Sequence, residues 1–380
     1  MKTRSSAVAV IVDAARSPIA LKNSPLLALR PDDLGATVLR ALLERNPALD
    51  LNDLEDIQYG CAFPEGLQGM LIARAIAVLA GVPHTAGAVV CNRFCGSSME
   101  TTHNISRAIE LGELQVGVAG GIEDMLRVPM GGYNPSFNPL LYDKGYYIGM
   151  GETAEILAQE LDISRADQEQ FAVASHQKAL AAQKEDRFAR EIIPITAGEE
   201  TVAIDEGPRE PNLEKIRSLD PAFDAAGTIT AATSSPVSYG TAALLLTSEK
   251  YAEAHGLTIR AEIVSRAVAG VEWDKMGKGP LPATEKALVR ANLKLADIDA
   301  IELNEAFAAQ ALYVIRQGRW DLEKVNLNGG ALALGHPLGT SGARILTTLL
   351  NVLEQKDVDL GLATMCIGTG QGIATIIRRR

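Results

Sequence analysis

The sequence predicts an α/β protein with two halves on one plan, a duplicated five-layer arrangement interrupted by an inserted segment. Three observations carry this reading. Hydrophobic residues make up 47% of the 380 positions and aromatic ones only 4%, a mixture rich in Ala, Gly, Leu and Val that suits closely packed α/β layers and a core divided over two or three domains. The same order of strand and helix signals occurs in the first and last thirds. The stretch between them differs in texture, with glycine, proline and turn signals in PMGGYNPSFNPL and DEGPREPN.

Taken in order, the apolar run from Ala7 to Val12 reads as a first buried strand. Lys2 and Arg4 ahead of it mimic a signal peptide, but Asp13 closes the run after six residues, too few for an export core. LEDIQYGCAF (54–63) then reads as a strand, QGMLIARAIAVLA (68–80) as a helix, AGAVV (86–90) as a strand, about 96–111 as a helix and QVGVAGG (115–121) as a buried strand. In the last third the order recurs as IDAIELN (298–304), EAFAAQALYVIRQG (305–318), KVNLNGG (324–330), a helix over about 340–353 and LGLATMC (360–366). The insert carries one amphipathic helix, ADQEQFAVASHQKALAAQKEDRF (166–188). The expected division is 1–121 plus 238–258 for the first half, 122–237 for the insert and 259–380 for the second half. Corresponding loops of the halves then meet at the carboxyl ends of their strands, where open α/β sheets bind ligands, bringing residue 95 to the stretch 336–368.

A net charge of −11 leaves no basic surplus for a nucleic-acid backbone. No segment has the roughly 18 apolar residues of a membrane span, so the chain reads as cytosolic with its thiols reduced.

CNRFCGSSME (91–100) places two cysteines four residues apart. The spacing allows half a zinc site, but Cys61 and Cys366 supply no second pair, so no metal is expected. A redox pair favours C-x-x-C. Cys91 ends an apolar strand and reads as a buried, inert thiol. Cys95 stands where the strand turns into a helix, and free N–H groups at a helix start favour a thiolate; the position suits either a nucleophile or a plain capping cysteine. A nucleophile needs a base. Of the five histidines, His103 lies eight residues along the same helix, roughly 12 Å away by helical rise. His84, His176 and His255 fall in a turn, a helix and a helix end, where solvated or packing roles are ordinary. His336, in ALALGHPLGTSGAR, stands among glycines in a loop expected to run from strand to helix and is the base candidate. GHPLGTSG lacks a P-loop ending and GTGQG (368–372) lacks dinucleotide spacing, so these glycines serve close backbone approach to a substrate.

With CNRFCGSSM, NEAFAAQ (304–310), NLNGGALALGHPLGTSGARI (326–345) and ATMCIGTGQGIAT (363–375) in this order, and GTITAATSSPVSYGTAALLLTSE (227–249) running from the insert into the returning segment of the first half, the chain resembles the thiolases nearly end to end. NRFCGSSM and the C-terminal run look most like bacterial degradative 3-ketoacyl-CoA thiolases. The resemblance implies a duplicated α-β-α-β-α core with an inserted loop domain, and acyl transfer between 3-ketoacyl-CoA and CoA through a thioester on Cys95, in fatty-acid β-oxidation. It implies that His336 activates the thiol and that Cys366 moves the second proton. One oxyanion site would use His336 with a water held by Asn304, the other the amides of Cys95 and Gly368. Asn304 also suits a helix cap, and Gly368 a turn.

For CoA, a co-substrate rather than a resident cofactor, DEGPR matches the family's D-E-x-x-R and puts Arg209 at the adenine end, although a solvated arginine reads equally well. Ser235 matches the serine near the pantetheine arm. Met150, Phe223, Ala306 and Phe307 match pocket positions that could equally be core. The chain departs from the pattern twice. Ser238-Tyr239-Gly240 puts an aromatic where the family commonly has an aspartate, which could reshape a loop near CoA. Gly149 precedes Met150 where short-chain biosynthetic members often carry histidine, favouring a roomier acyl site. Rival readings are a biosynthetic acetoacetyl-CoA thiolase, a decarboxylative condensing enzyme, disfavoured because Asn304 replaces its second histidine, and a non-catalytic acyl-CoA-binding protein. The resemblance further implies a homodimer or homotetramer, with a complex with a hydratase/dehydrogenase subunit as a further option.

Overall fold

The computed structural model describes residues 7–380; Lys2 and Arg4 of the opening lie outside the described residues. The first half supplies β1 (Ala9–Arg16), β2 (Asp56–Gly60), β3 (Gly87–Cys91) and β4 (Val116–Asp124), connected through α1 (Pro31–Glu44), α2 (Ile72–Leu79) and α3 (Ser97–Glu110). The middle of the chain adds α4 (Pro139–Asp143), α5 (Met150–Glu160), α6 (Arg165–Lys184), a hairpin of β5 (Ile195–Ala197) and β6 (Glu200–Val202), and α7 (Leu213–Arg217), before β7 (Tyr239–Ser248) and α8 (Glu249–His255). The second half contains β8 (Ala261–Gly270), α9 (Pro280–Ala291), β9 (Ala300–Leu303), α10 (Ala308–Gly318), α11 (Ala331–Leu334), α12 (Ser341–Lys356), β10 (Leu360–Ile367) and β11 (Gln371–Arg379).

The strands run in the order β3-β2-β4-β7-β1-β8-β11-β10-β9, and β1 meets β8 only at Val10 and Ile11. Each half has parallel strands at its outer end (β3, β2, β4 and β9, β10) and antiparallel ones toward the join (β7, β1 and β11, β8). This is the duplication expected from the order of elements. Helices α1 and α2 cover the outer face of the first half and α9 that of the second, while α3 and α12 pack on each other between strands of both halves. Five layers result. The two central helices approach closely because Gly342 has no side chain: a Cβ there would lie 2.3 Å from Met99 N.

Three local expectations are corrected. First, β1 does not stop at Asp13. A register shift falls between Ile11 and Asp13, and the carboxylate pairs with Arg45 and Arg260 at 2.9 and 3.0 Å, so a charge inside the strand is satisfied rather than strand-ending. Second, 324–330 is not a strand. Val325 makes one parallel bridge to Ile301; the chain then turns at Asn326 and Gly329, both at positive φ. The Asn326 side chain bonds both the N–H and the C=O of Leu303, filling the strand edge with an amide. Third, α10 starts at Ala308 with Phe307 as its N-cap, so Asn304 caps nothing. Residues 306 and 307 are instead paired with Ser235 and Ser234.

Candidate active site

Beyond β3 the chain turns back through Phe94, held at a φ of 43°, into α3. Asn92 Oδ1 accepts from Phe94 N–H, Ser97 Oγ accepts from Arg93 N–H, and the same hydroxyl donates to Phe94 O. These bonds hold a left-handed non-glycine residue that would otherwise cost of order 1–3 kcal/mol, and they fix Cys95 beside it. Cys95 is half-buried. Burial pushes its thiol up to about 11, offset in part by hydrogen bonding from the amides of Gly368 and of Cys95 itself. The helix start therefore does not make this thiol acidic; desolvation outweighs it. Cys91 is only partly buried, on the end strand β3, with Asn104 and Gln58 around its sulfur, so the expected buried thiol is corrected too.

Cys366 lies near the end of β10, 1% exposed. Burial, and then the neighbouring Cys95 sulfur, push its thiol well above the usual range. The two cysteines, 271 positions apart in sequence, are thus brought together.

His336 follows α11 rather than a strand, since 324–330 does not form one. It is 4% exposed, and burial, with Arg344 adding, lowers its pKa to about 3, so the ring is neutral at physiological pH. Nδ1 lies 2.6 Å from Ser341 Oγ, which donates its own proton to Pro337 O. The hydroxyl therefore accepts from the ring, which places the imidazole proton on Nδ1 and leaves a lone pair on Nε2. Asn304 Nδ2 is 3.3 Å from Nε2 and 3.4 Å from Nδ1. Asn304 Nδ2 therefore lies within hydrogen-bonding distance of both ring nitrogens, and with the proton on Nδ1 the Nε2 lone pair is the one that can accept from it. Asn304 Oδ1 is buried and unpartnered by protein.

Gly368 is flanked by Met150 and Phe94: a Cβ there would lie 3.3 Å from Met150 Sδ. Met150, Ala306, Phe307 and Cys366 share one apolar cluster. Phe223 meets Phe307 edge to face at 5.7 Å and lies against Gly151, while Ser235 N–H donates to Ala306 O. Arg209 is apart from this group, exposed beside α6, its amide donating to His176 Nδ1. The acids of the same motif are occupied: Asp205 grips the buried Arg16 at 2.6 and 2.8 Å, and Glu206 binds Ser24 and the Leu21 amide. Tyr239 is wholly buried in the first-half core, its ring 5.1 Å from the Arg127 guanidinium. His103 bonds Thr375.

Two residues of the site were not anticipated. Ser341 is visible in GTSGAR one turn or so beyond His336, and its partnership could have been read from that spacing. Glu123 gives no such signal. Its buried carboxylate accepts from the amides of Ala62, Phe63 and Gly339 and from Gln68 Nε2.

A thiol at a helix start, a second, buried thiol, a neutral imidazole and two amides converging on the first sulfur, carried on two duplicated halves, are the kinds of group that acyl transfer of the thiolase kind requires. Residues 9–250 match the thiolase N-terminal domain and 257–379 the thiolase C-terminal domain, and the chain belongs to the thiolase family of acyltransferases. It is 50% identical to the 3-ketoacyl-CoA thiolase of Shewanella frigidimarina, 98% of this chain aligning with 99% of that one. It is 49% identical to the 3-ketoacyl-CoA thiolase of Aeromonas hydrophila over 97% of this chain and 99% of the relative. The crystal structure of the Bacillus anthracis acetyl-CoA acetyltransferase superposes over the whole of both chains with a TM-score of 0.91 at 34% identity. Among the described residues no helix is long and apolar enough to cross a membrane.

Proposed function

We propose that this protein is a degradative 3-ketoacyl-CoA thiolase, cleaving 3-ketoacyl-CoA with CoA to acetyl-CoA and a shortened acyl-CoA in fatty-acid β-oxidation. The observation that supports the reading is the Cys95–Cys366 pair with the Gly368 amide on the Cys95 sulfur, together with a neutral His336 whose Nδ1 faces Ser341. Because the resting thiol and imidazole are both uncharged, the proton leaves Cys95 Sγ for His336 Nε2 as the sulfur attacks the C3 carbonyl. The C2–C3 bond then breaks, leaving acyl-Cys95, and Cys366 gives its proton to C2 of the departing acetyl-CoA enolate. CoA loses its thiol proton to the Cys366 thiolate and attacks the thioester; His336 returns its proton to Cys95. The amides of Cys95 and Gly368 face one developing oxyanion, and His336 with a water held by Asn304 the other.

CoA enters between the inserted segment and the second half, its pantetheine arm beside Ser235, Met150, Phe223, Ala306 and Phe307, and its adenine end toward Arg209. Residues 122–237 act as the CoA-binding insert between halves formed by 1–121 with 238–258 and by 259–380. CoA is a co-substrate, and the chemistry needs no resident cofactor. The protein works in the cytoplasm as a homodimer or homotetramer, open to a hydratase/dehydrogenase subunit. A biosynthetic role is the second reading, favoured by the acetyl-CoA acetyltransferase likeness at 34% identity; the likeness near 50% to 3-ketoacyl-CoA thiolases weighs more. Intact-protein mass spectrometry after incubation with 3-ketoacyl-CoA of several chain lengths, without free CoA, tests the proposal. An acyl adduct in wild type that is missing in Cys95→Ala supports thiolysis, and its length dependence separates the two directions. No adduct at any length refutes it.

A further inference from the structure

The nucleophile and the base come from different halves, so something must hold the two loops in register. Loop 61–63, which follows β2, contacts the Cys95 turn three times: Cys61 N–H donates to Cys91 O at 3.0 Å, Asn92 Nδ2 donates to Ala62 O at 2.8 Å, and the Phe63 and Phe94 rings lie 5.8 Å apart. On the other side, Gly339 follows His336 by three residues. Between them sits the carboxylate of Glu123, fully buried. One oxygen, Oε2, accepts from Ala62 N–H at 2.6 Å and from Gly339 N–H at 2.8 Å. The other, Oε1, takes Phe63 N–H at 3.2 Å and Gln68 Nε2 at 2.7 Å. Gly339 is packed so closely that a Cβ there would lie 2.7 Å from both Glu123 Oε2 and Cys61 Cα.

We propose that Glu123 is a positioning residue for the acyl-transfer step, its buried carboxylate setting the distance between the Cys95 turn, through loop 61–63, and the His336 loop, through Gly339. An acid is required because every group facing it is a donor. A glutamine in its place would turn an NH2 toward two of the four N–H groups, whichever oxygen it replaced, and break both contacts. A carboxylate accepting this many bonds is also satisfied without a cation, and no basic side chain bonds it.

The proposal rests on the thiolase reading, and its test separates the two. Single-turnover acylation of Cys95 is followed by intact mass in wild type, Glu123→Gln, His336→Ala and the double variant. Acylation in wild type upholds the reading independently. If Glu123 acts by placing His336, Glu123→Gln slows acylation about 10- to 100-fold in the wild-type background, as loss of sub-ångström placement does, and less than twofold once His336 is already gone. Substrate KM stays within about twofold. Equal slowing in both backgrounds, or none in either, overturns the proposal. Glu123→Asp, which keeps the charge and withdraws it by one methylene, is carried through the same cycle should Glu123→Gln not fold; loss of folded protein in both variants shows a purely architectural role and equally overturns it.

Discussion

Removing the hydroxyl of Ser341 should disable His336 without touching a reacting atom. In the protein the hydroxyl is committed in both directions, donating to Pro337 O at 2.9 Å and accepting from Nδ1 at 2.6 Å. The ring carries one proton, because burial and Arg344 bring its pKa down to about 3. Ser341→Ala leaves a buried N–H with no acceptor, a loss of about 1–3 kcal/mol. The ring can avoid it by moving the proton to Nε2, where it blocks acceptance of the Cys95 proton. At about 1.4 kcal/mol per tenfold, kcat for thiolysis should fall between about fivefold and a hundredfold with KM within about twofold, since the hydroxyl faces the ring and not the substrate. Steady-state kinetics at pH 7 to 9, with a thermal melt as a control, decide the matter. An unchanged kcat would refute the assignment of the proton to Nδ1; a matching rise in KM would show that Ser341 shapes the binding site instead.

Cys366→Ala removes both the proton donor for the departing enolate and the base for CoA, so acylation of Cys95 and transfer to CoA should each slow by about 10²- to 10⁴-fold, the usual weight of a general acid–base group; acyl-enzyme appearing at the wild-type rate in rapid-quench mass spectra would refute that role. Stability should carry the mark of the buried His336. Its folded pKa is depressed below the unfolded value near 6.5, so its contribution is fully present above that value and is lost as the pH falls toward about 3; between pH 7 and 5 the loss is about 2 kcal/mol. The difference in urea unfolding free energy between wild type and His336→Asn should therefore shrink by that amount on acidification, and a constant difference would count against a neutral buried ring. Gly372→Ala should lower the melting temperature by several degrees, because a Cβ there would lie within 2.0 Å of the Gly279 backbone, where no flexible side chain can yield.

Much of this was legible in the letters because it depends on local chemistry. A strand-to-helix turn marks Cys95, and crowded glycines mark the loops of His336 and Gly368, whatever the tertiary packing. What escaped depends on packing. The acidity of Cys95 was read from the helix start, whereas burial decides it. KVNLNGG alternates like a strand, yet Asn326 spends its amide on Leu303 and turns the chain. Asp205 and Glu206 look like part of a CoA motif but are consumed by Arg16 and Ser24. Tyr239 looked like a disturbance of a CoA loop and proves to be core. Glu123 ends a glycine-rich strand like any acid at a turn; only the arrival of Gly339, 216 residues later, gives it a partner.

The shortened outer strand of the second half has a consequence for how the molecule can grow. At the β9 end the outward edge is plugged: Asn326 takes both polar groups of Leu303, Asn326 N–H donates to Ile301 O, and Lys324 Nζ donates to Ile298 O. At the other end no strand pairs with the outer side of β3 among the described residues. A sheet with two bare ends is a monomer for a fibre, since each addition exposes a fresh end. With one end stopped, strand addition is confined to the β3 edge. Asn326 and Lys324 act in this sense as a terminator: the backbone groups that could template a further strand at this end are already taken.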